Sequence, residues 1–283
     1  GKIAVLEDFW EALFNPSTLI RFAHTLSASW VTGSLVCAAI GAWLILKGSR
    51  KDHGKRLLRI SLFLFAFSGV LQLFLGHGHS VQVARTQPEK MAAFEGLWET
   101  QRGAPLSLFG IPDQRGEKTR LSLGVPNMLS LLTTGDPEAE VKGLKEYPRE
   151  DRPPVFLSFA AYHVMIGLGS LFFLGALFAL YFLKVKGEEY PSWFLKALLF
   201  SVPLPYIANE AGWVAAEVGR QPWVIYHVLR TSQAASVNVP AWQVLLTLSL
   251  FTLLYLFLFV IFLKVTFGIV LRFSRGEGQG EGY

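Results

Sequence analysis

Three side chains able to bind a transition metal lie inside apolar runs of this chain: the imidazole of His24, the thioether of Met165 and the carboxylate of Glu210. Such groups are costly at bilayer depth unless they are paired or working, so they are the first candidates for chemistry. His24 lies 8 residues after Pro16, about 12 Å at ~1.5 Å per helical residue. Met165 lies 11 residues after Pro154, about 16 Å in, and Glu210 lies 9 residues before Gly219, about 14 Å in. An imidazole and a thioether together are the axial pair of a six-coordinate, low-spin haem b. A carboxylate is a weaker ligand and suits a high-spin haem with an open position. Small residues flank both candidate ligands: Ala23, Ser27 and Ala28 beside His24, and Gly167 and Gly169 after Met165. Each ligand has a plainer alternative. His24 can hydrogen-bond a neighbouring helix, Met165 can fill a core gap, and Glu210 can be structural, though few membrane carboxylates are. His163 stands two residues before Met165, on another helix face, where it serves a haem propionate or pairs with a polar neighbour. His77 and His79 make a weak metal site, and Gly76-His77-Gly78-His79 reads as a flexible polar exit turn.

The elements that must position these groups are membrane spans. Hydrophobic residues make up 52% of the 283 positions and charged residues 17%, against about a quarter charged in an ordinary soluble domain. Mean hydropathy is +0.38. This excludes a disordered chain, a nucleic-acid-binding module and most soluble enzymes. The single cysteine, Cys37, excludes an intrachain disulfide and a cysteine-built metal centre. No phosphate loop, nucleophile elbow or paired-His zinc helix is present. Five runs approach the ~20 apolar residues of a span: 22–46, 60–76, 155–183, 197–218 and 244–263. Basic residues crowd the short segments 47–59 and 184–196 and the stretch after 263, which puts those on the cytoplasmic side. The spacing predicts an all-α integral membrane protein with five transmembrane helices and a long extracytoplasmic loop. Residues 1–76 hold an outer segment and two spans, 77–152 the loop, 153–275 three spans, and 276–283 a disordered Gly-rich tail. Asn15-Pro16-Ser17-Thr18 predicts a capped start with proline in the first turn. Pro203 and Pro205 predict freed carbonyls in the fourth span, which must then face protein or a cofactor. The chain begins at Gly1 without a signal peptide, which reads as processing, splitting or trimming.

Ordered motifs then carry a resemblance. They run from Asn15-Pro16 through Arg21-Phe-Ala-His24-Thr25 to Gln87-Pro88-Glu89-Lys90-Met-Ala-Ala-Phe-Glu95. They continue with Trp98-Glu-Thr100, Phe109-Gly-Ile-Pro-Asp113 and Val164-Met165, then Pro203-Leu-Pro-Tyr-Ile-Ala-Asn-Glu210-Ala-Gly-Trp213 and Gly219-Arg-Gln-Pro-Trp223. Over nearly all of residues 15–270 the chain resembles subunit I of cytochrome bd-type quinol oxidases. The resemblance implies that His24 and Met165 are the axial ligands of low-spin haem b558 and that Glu210 ligates high-spin haem b595. It implies that Lys90 and Glu95 serve quinol oxidation on a short-type quinol loop. Read alone, Lys90 and Glu95 are a surface i, i+5 charge pair. Arg220, His163 and Trp213 fall among the haem surroundings; Arg220 either meets a propionate or anchors a helix end.

The chain departs from the family pattern at Gly76-His77-Gly78-His79-Ser80, where Gly-Asp-x-Ser is usual. It also departs at His163, where Arg is common, and at Tyr206, where Trp is common. The matching part resembles helices five to nine. About four earlier helices, with the His that serves haem d, are expected from a second chain or another part of the gene product, with a subunit II alongside. The implied activity is quinol:oxygen oxidoreduction in a bacterial or archaeal cytoplasmic (inner) membrane. Electrons would pass from quinol through b558 and b595 to haem d, and lipid and quinol, not nucleic acid, would be the other partners. The alternatives are a haem b electron-transfer subunit that passes quinol electrons elsewhere, and a proton or ion transporter built on Glu210.

Overall fold

The computed structural model describes residues 7–185, 189–236 and 238–276. Of the expected disordered tail at 276–283, Gly276 is described, as a left-handed helix cap, and 277–283 lie outside the described residues, as do Lys186 and Glu188 of the predicted cytoplasmic segment. A one-turn helix α1 (Phe9–Leu13) is capped by the Asp8 carboxylate. Asn15 then closes a turn, its Oδ1 accepting from the Ser17 amide at 3.0 Å. Pro16 stands in that turn, ahead of the helix and not inside its first turn as expected, and α2 (Thr18–Lys47) follows. Gly48 at φ 76° and Arg50 at φ 50° turn the chain sharply into α3 (Lys51–Thr86). The left-handed Gly48 has no Cβ to strain, which makes so short a connection possible.

The α2–α3 hairpin closes tightly. A Cβ on Gly41 would lie 2.9 Å from the Gly54 carbonyl oxygen, and one on Gly54 would lie 3.0 Å from that of Gly41. We expect Gly41→Val to destabilise the hairpin by about 1–3 kcal/mol through overpacking, read as a lower Tm of the purified complex; an unchanged Tm contradicts this contact.

Helix α3 does not exit at Gly76. It runs on to Thr86, so the expected polar turn at His77 and His79 is helical and the loop starts ten residues later. The glycines serve packing here. A Cβ on Gly76 would lie 3.5 Å from His24 Cε1, and one on Gly78 would lie 3.3 Å from Ile20 Cδ1. Small side chains thus let α2 approach, which offsets the poor helix propensity of glycine.

Among the described residues four helices are long and apolar enough to cross a membrane. They are α2, α3, α6 (Val155–Lys184) with the turn leading into it, and α9 (Ala241–Arg275). The predicted fourth span is not a single helix: it is α7 (Ser192–Ser201) and α8 (Pro203–Val218), broken at Val202. Pro203 and Pro205 lack the N–H groups that would bond back across that point, so the helix cannot continue unbroken. The two pieces hold 10 and 16 residues, about 39 Å of helix against a hydrocarbon core of ~30 Å.

Helix α2 packs on α3, α7 and α8, and α6 packs on α3 and α8. Helices α2 and α6 therefore stand diagonally, with α3 and α8 between them. One apolar core, including Leu35, Leu62, Phe65, Phe172 and Leu198, fills this bundle. A second, including Phe94, Leu97, Trp98, Leu129 and Tyr162, lies under the loop that follows α3. Helix α9 buries almost nothing along its length and is tied in at its end, where Lys47 Nζ donates to Ser274 Oγ at 3.4 Å and Arg50 stacks on Phe273.

The all-α expectation needs correction in the loops. After α4 (Pro88–Glu95) come β1 (Gln101–Arg102), β2 (Leu106–Asp113), β3 (Lys118–Val125), α5 (Met128–Thr134) and β4 (Glu140–Val141). Strands β2 and β3 form an antiparallel hairpin, and β1 pairs with β4. Beyond α8, β5 (Trp223–Ile225) and β6 (Leu229–Arg230) form a third ribbon.

Candidate functional site

His24 sits in the second turn of α2. Gln72 on α3 donates its amide Nε2 to His24 Nε2 at 3.0 Å. The His79 ring packs edge-on against the His24 ring at 5.5 Å. Among the described residues Gln72 Oε1 and His79 Nε2 are buried without a hydrogen-bond partner, so the polar groups round His24 are incompletely satisfied there. Met165 points from α6 toward α8, where a Cβ on Gly212 would lie 2.9 Å from its sulfur. Gly169 shares the face of Met165 one turn on, and a Cβ there would meet nothing within 4 Å. The two candidate ligands thus come from diagonal helices, and open space adjoins Met165 at Gly169.

The structure does not bring Glu210 to them. Gly212 meets Met165, and a residue two positions earlier lies about 200° round the helix. Glu210 is exposed on that other side. Trp213, 65% exposed, is its i+3 neighbour on the same open face. Beside Glu210, Asn209 donates to Thr32 Oγ1 at 3.0 Å and ties α8 to α2. Similar depth from sequence therefore does not mean one pocket.

Helix α4 carries the second group. Pro88 starts it and Gly96, at φ 61°, ends it. Lys90 and Glu95 are both buried, at 2% and 5% exposure, so the surface charge-pair alternative fails. They are not an ion pair either: five residues apart, they project about 140° from each other. Lys90 Nζ donates to the Ala216 carbonyl at the end of α8, at 2.8 Å. Glu95 Oε2 accepts from the Ser107 amide at 2.8 Å, and the Tyr162 phenol lies beside the carboxyl group, whose Oε1 is buried with no hydrogen-bond partner among the described residues. Burial pushes the Glu95 carboxyl up to about 7. Burial, then the nearby Arg21 and Arg220 guanidinium groups, push the Lys90 ammonium down to about 7. A cavity of about 460 Å³ opens beside Glu95, bordered by Trp98, Ser107, Lys118 and Thr119.

Arg220 pairs with Glu217 at 2.5 Å, and its Nε is buried with no hydrogen-bond partner among the described residues. Arg21 and Arg220 both bring positive charge toward Lys90, and the Glu217 carboxylate opposes them. His163 turns toward the loop: Nδ1 lies 2.9 Å from the Phe159 carbonyl oxygen and Nε2 3.0 Å from that of Ser107. The polar-neighbour alternative describes these contacts.

Sequence reasoning missed three participants. Arg21, quoted in a motif, stands one turn before His24. Tyr162 adjoins His163 and is signalled only by being a buried phenol next to Glu95. Glu89 is 3% exposed and meets His227 Nε2 at 3.0 Å; nothing local in the sequence marks that pair. Among the described residues no cluster of three or more His, Cys, Asp or Glu side chains could hold a bare metal ion.

The family model for cytochrome bd terminal oxidase subunit I matches residues 1–272. The chain is 35% identical over 243 residues to a putative cytochrome bd menaquinol oxidase subunit I of Bacillus subtilis (strain 168), covering 84% of this chain and 54% of that protein. It is 31% identical to the cytochrome bd-II ubiquinol oxidase subunit 1 of Escherichia coli (strain K12), covering 88% of this chain and 62% of that one. The structure of bd oxidase from Geobacillus thermodenitrificans superimposes with a TM-score of 0.79 at 32% identity, over 95% of this chain and 60% of that one. The chain thus spans a little over half the length of these relatives.

Proposed function

The chain belongs to the cytochrome bd terminal oxidase subunit I family, and on that premise we propose that it is the quinol-oxidising, haem b-holding half of a bd-type terminal oxidase. In this reading it corresponds to the C-terminal half of subunit I, set in a bacterial inner membrane with its loop outside. The remaining helices, with haem d and its ligand, come from another chain or segment, and a subunit II completes the complex.

The residues present fit a porphyrin. His24 is held by an amide that leaves its own oxygen unpartnered, and open space adjoins Met165 at Gly169. Arg21 and Arg220 lie near enough to Lys90 to act on its charge, and such basic groups would suit haem propionates. His24 and Met165 would hold haem b558. Glu210, on the open side of α8, would hold haem b595 facing the partner half. When bound, the haems supply the one-electron chemistry between quinol and oxygen.

The single observation that carries the functional reading is a buried lysine and a buried glutamate on one short helix beside a cavity. Near neutral pH the Glu95 carboxylate can take a quinol hydroxyl proton, since its basicity is raised by burial. The Ser107 amide fixes the carboxylate, and the exposed end of the cavity gives that proton a way out to water. Lys90 supplies positive charge at the far side of α4, where it steadies an oxygen anion or a propionate. Broken helix α7–α8 fits a site wall better than a lipid face, because its freed carbonyls need partners.

The test uses the whole complex supplied with quinol. We expect reduction of haem b bands and quinol-dependent oxygen uptake, with loss of the low-spin b signal in Met165→Leu. Haem reduction without oxygen uptake would favour the electron-transfer-subunit alternative, and no stoichiometric haem would sink both.

A further inference from the structure

The β2–β3 hairpin leans along the first turns of α6, and its contacts assign each rung a level. His163 Nε2 lies 3.0 Å from the Ser107 carbonyl oxygen. A Cβ on Gly110 would lie 3.4 Å from Phe159 Cζ. Gln114 Oε1 accepts from the Val155 amide at 3.2 Å. Glu117 Oε1 accepts from Arg152 Nη1 at 2.8 Å and pairs with Arg149 at 2.8 Å. From 107 to 117 the hairpin therefore climbs α6 from His163 to its polar entrance. His163 to Val155 is about 12 Å of helix, so the base of the hairpin stands well inside the apolar length of α6.

Its two faces differ. The inner face is polar and held: Ser107 donates to Glu95, while Thr119 donates to the Gly96 carbonyl and accepts from Trp98 Nε1. The outer face is apolar apart from Arg120, which stands opposite Ile111. Phe109 and Leu123 are direct cross-strand partners, Leu121 is two residues from Leu123, and Ile111 continues the face. They are 55%, 62%, 74% and 42% exposed for Phe109, Leu123, Leu121 and Ile111. The tip is charged. Asp113 pairs with Arg120 at 2.6 Å and Glu117 with the α6 entrance. Among the described residues Arg115 and Lys118 have no carboxylate partner.

We propose that this outer face is seated in the loop-side leaflet, with Phe109, Ile111, Leu121 and Leu123 among lipid acyl chains and Arg115 and Lys118 at phosphate level. The polarity of the hairpin changes along the same axis as that of α6, as a membrane surface requires. Arg115 and Lys118 give the tip positive charge that lipid phosphates would complement. On the outer face Arg120, the cross-strand partner of Ile111, is already held by Asp113 at 2.6 Å, so what remains to be covered is apolar. The inference rests on the membrane reading of α6, not on the quinol chemistry. If both hold, the hairpin is the wall between the bilayer and the cavity beside Glu95, and a lipid-dissolved quinol reaches that cavity past its edge.

The test is spin-label accessibility in the whole, resting complex in lipid vesicles. Cys37→Ala removes the chain's one native thiol. Leu123→Cys and Phe109→Cys report the face, and Arg115→Cys reports the tip. We expect oxygen to relax labels at 123 and 109 several-fold more effectively than a water-soluble nickel chelate, and the reverse at 115. Should Phe109→Cys fail to assemble, Leu123→Cys on the exposed side decides alone. A label at 123 relaxed mainly by nickel means water, and one shielded from both reagents means a covering protein chain; either overturns the proposal. The measurement needs no turnover, so it decides the question even in a complex that has lost quinol oxidation.

Discussion

Glu95→Gln is expected to lower quinol oxidation by about 10²–10⁴-fold, the usual worth of a positioned general base, with assembly and haem content retained. The amide keeps the shape and still accepts from the Ser107 amide, but it cannot take a proton. The pH profile makes the assignment specific. Glu95 must be deprotonated to act as a base, and its carboxyl is pushed up to about 7, so activity rises with pH through about 7. Lys90 must be charged to steady an anion, and its ammonium is pushed down to about 7, so activity falls as pH rises through about 7. The product is a narrow optimum near neutrality, with at most about a quarter of the molecules in the working combination. The rising limb disappears in Glu95→Gln, and the falling limb moves to higher pH in Lys90→Arg. Steady-state rates of the purified complex across pH 5–9, roughly two units either side of the optimum, check this. A Glu95→Gln rate within a few-fold of wild type contradicts it.

His24→Ala is expected to abolish the low-spin haem b signal. An imidazole that ligates iron has no substitute in alanine, and His79 is the nearest ring able to intrude, packed against His24 at 5.5 Å. The variant is therefore compared with His24→Ala/His79→Ala. Loss in both assigns the ligand to His24. Retention in the single variant and loss in the double one shows His79 taking its place. The plain packing alternative predicts full retention in both, because Gln72 is the hydrogen-bond partner His24 would lose, and one interhelical bond is worth only about 0.6–2 kcal/mol.

Four long apolar helices were legible in the sequence because a long apolar run bounded by basic residues is stable in few settings besides a bilayer. The break in the fourth run was legible too, through Pro203 and Pro205, although not that two separate helices would result. What stayed concealed was non-local. Gly76-His77-Gly78-His79 looks like an exit turn, but those glycines face Ile20 and His24 on a helix far back in the chain. Lys90 and Glu95 look like solvated charges at i, i+5. Their burial comes from the end of α8 and from the β2 strand, which no local pattern announces. The hairpin was hidden for a related reason: a strand with an apolar outer face and a glycine-bearing inner face lacks the alternation that marks a half-buried strand. Counting helical rise sets His24, Met165 and Glu210 at one depth but says nothing about azimuth, and azimuth is what sets Glu210 apart on the open side of α8.

The central claim is that the imidazole at 24 and the thioether at 165 share one iron porphyrin. A redox titration of the Met165→His complex tests it most directly. Replacing a thioether by an imidazole keeps iron six-coordinate and low-spin but removes the ligand that raises its potential. The expected result is a retained low-spin haem b signal with a clearly lowered midpoint potential. A haem b titrating at the wild-type potential would contradict the claim, because iron would then be indifferent to the side chain at position 165.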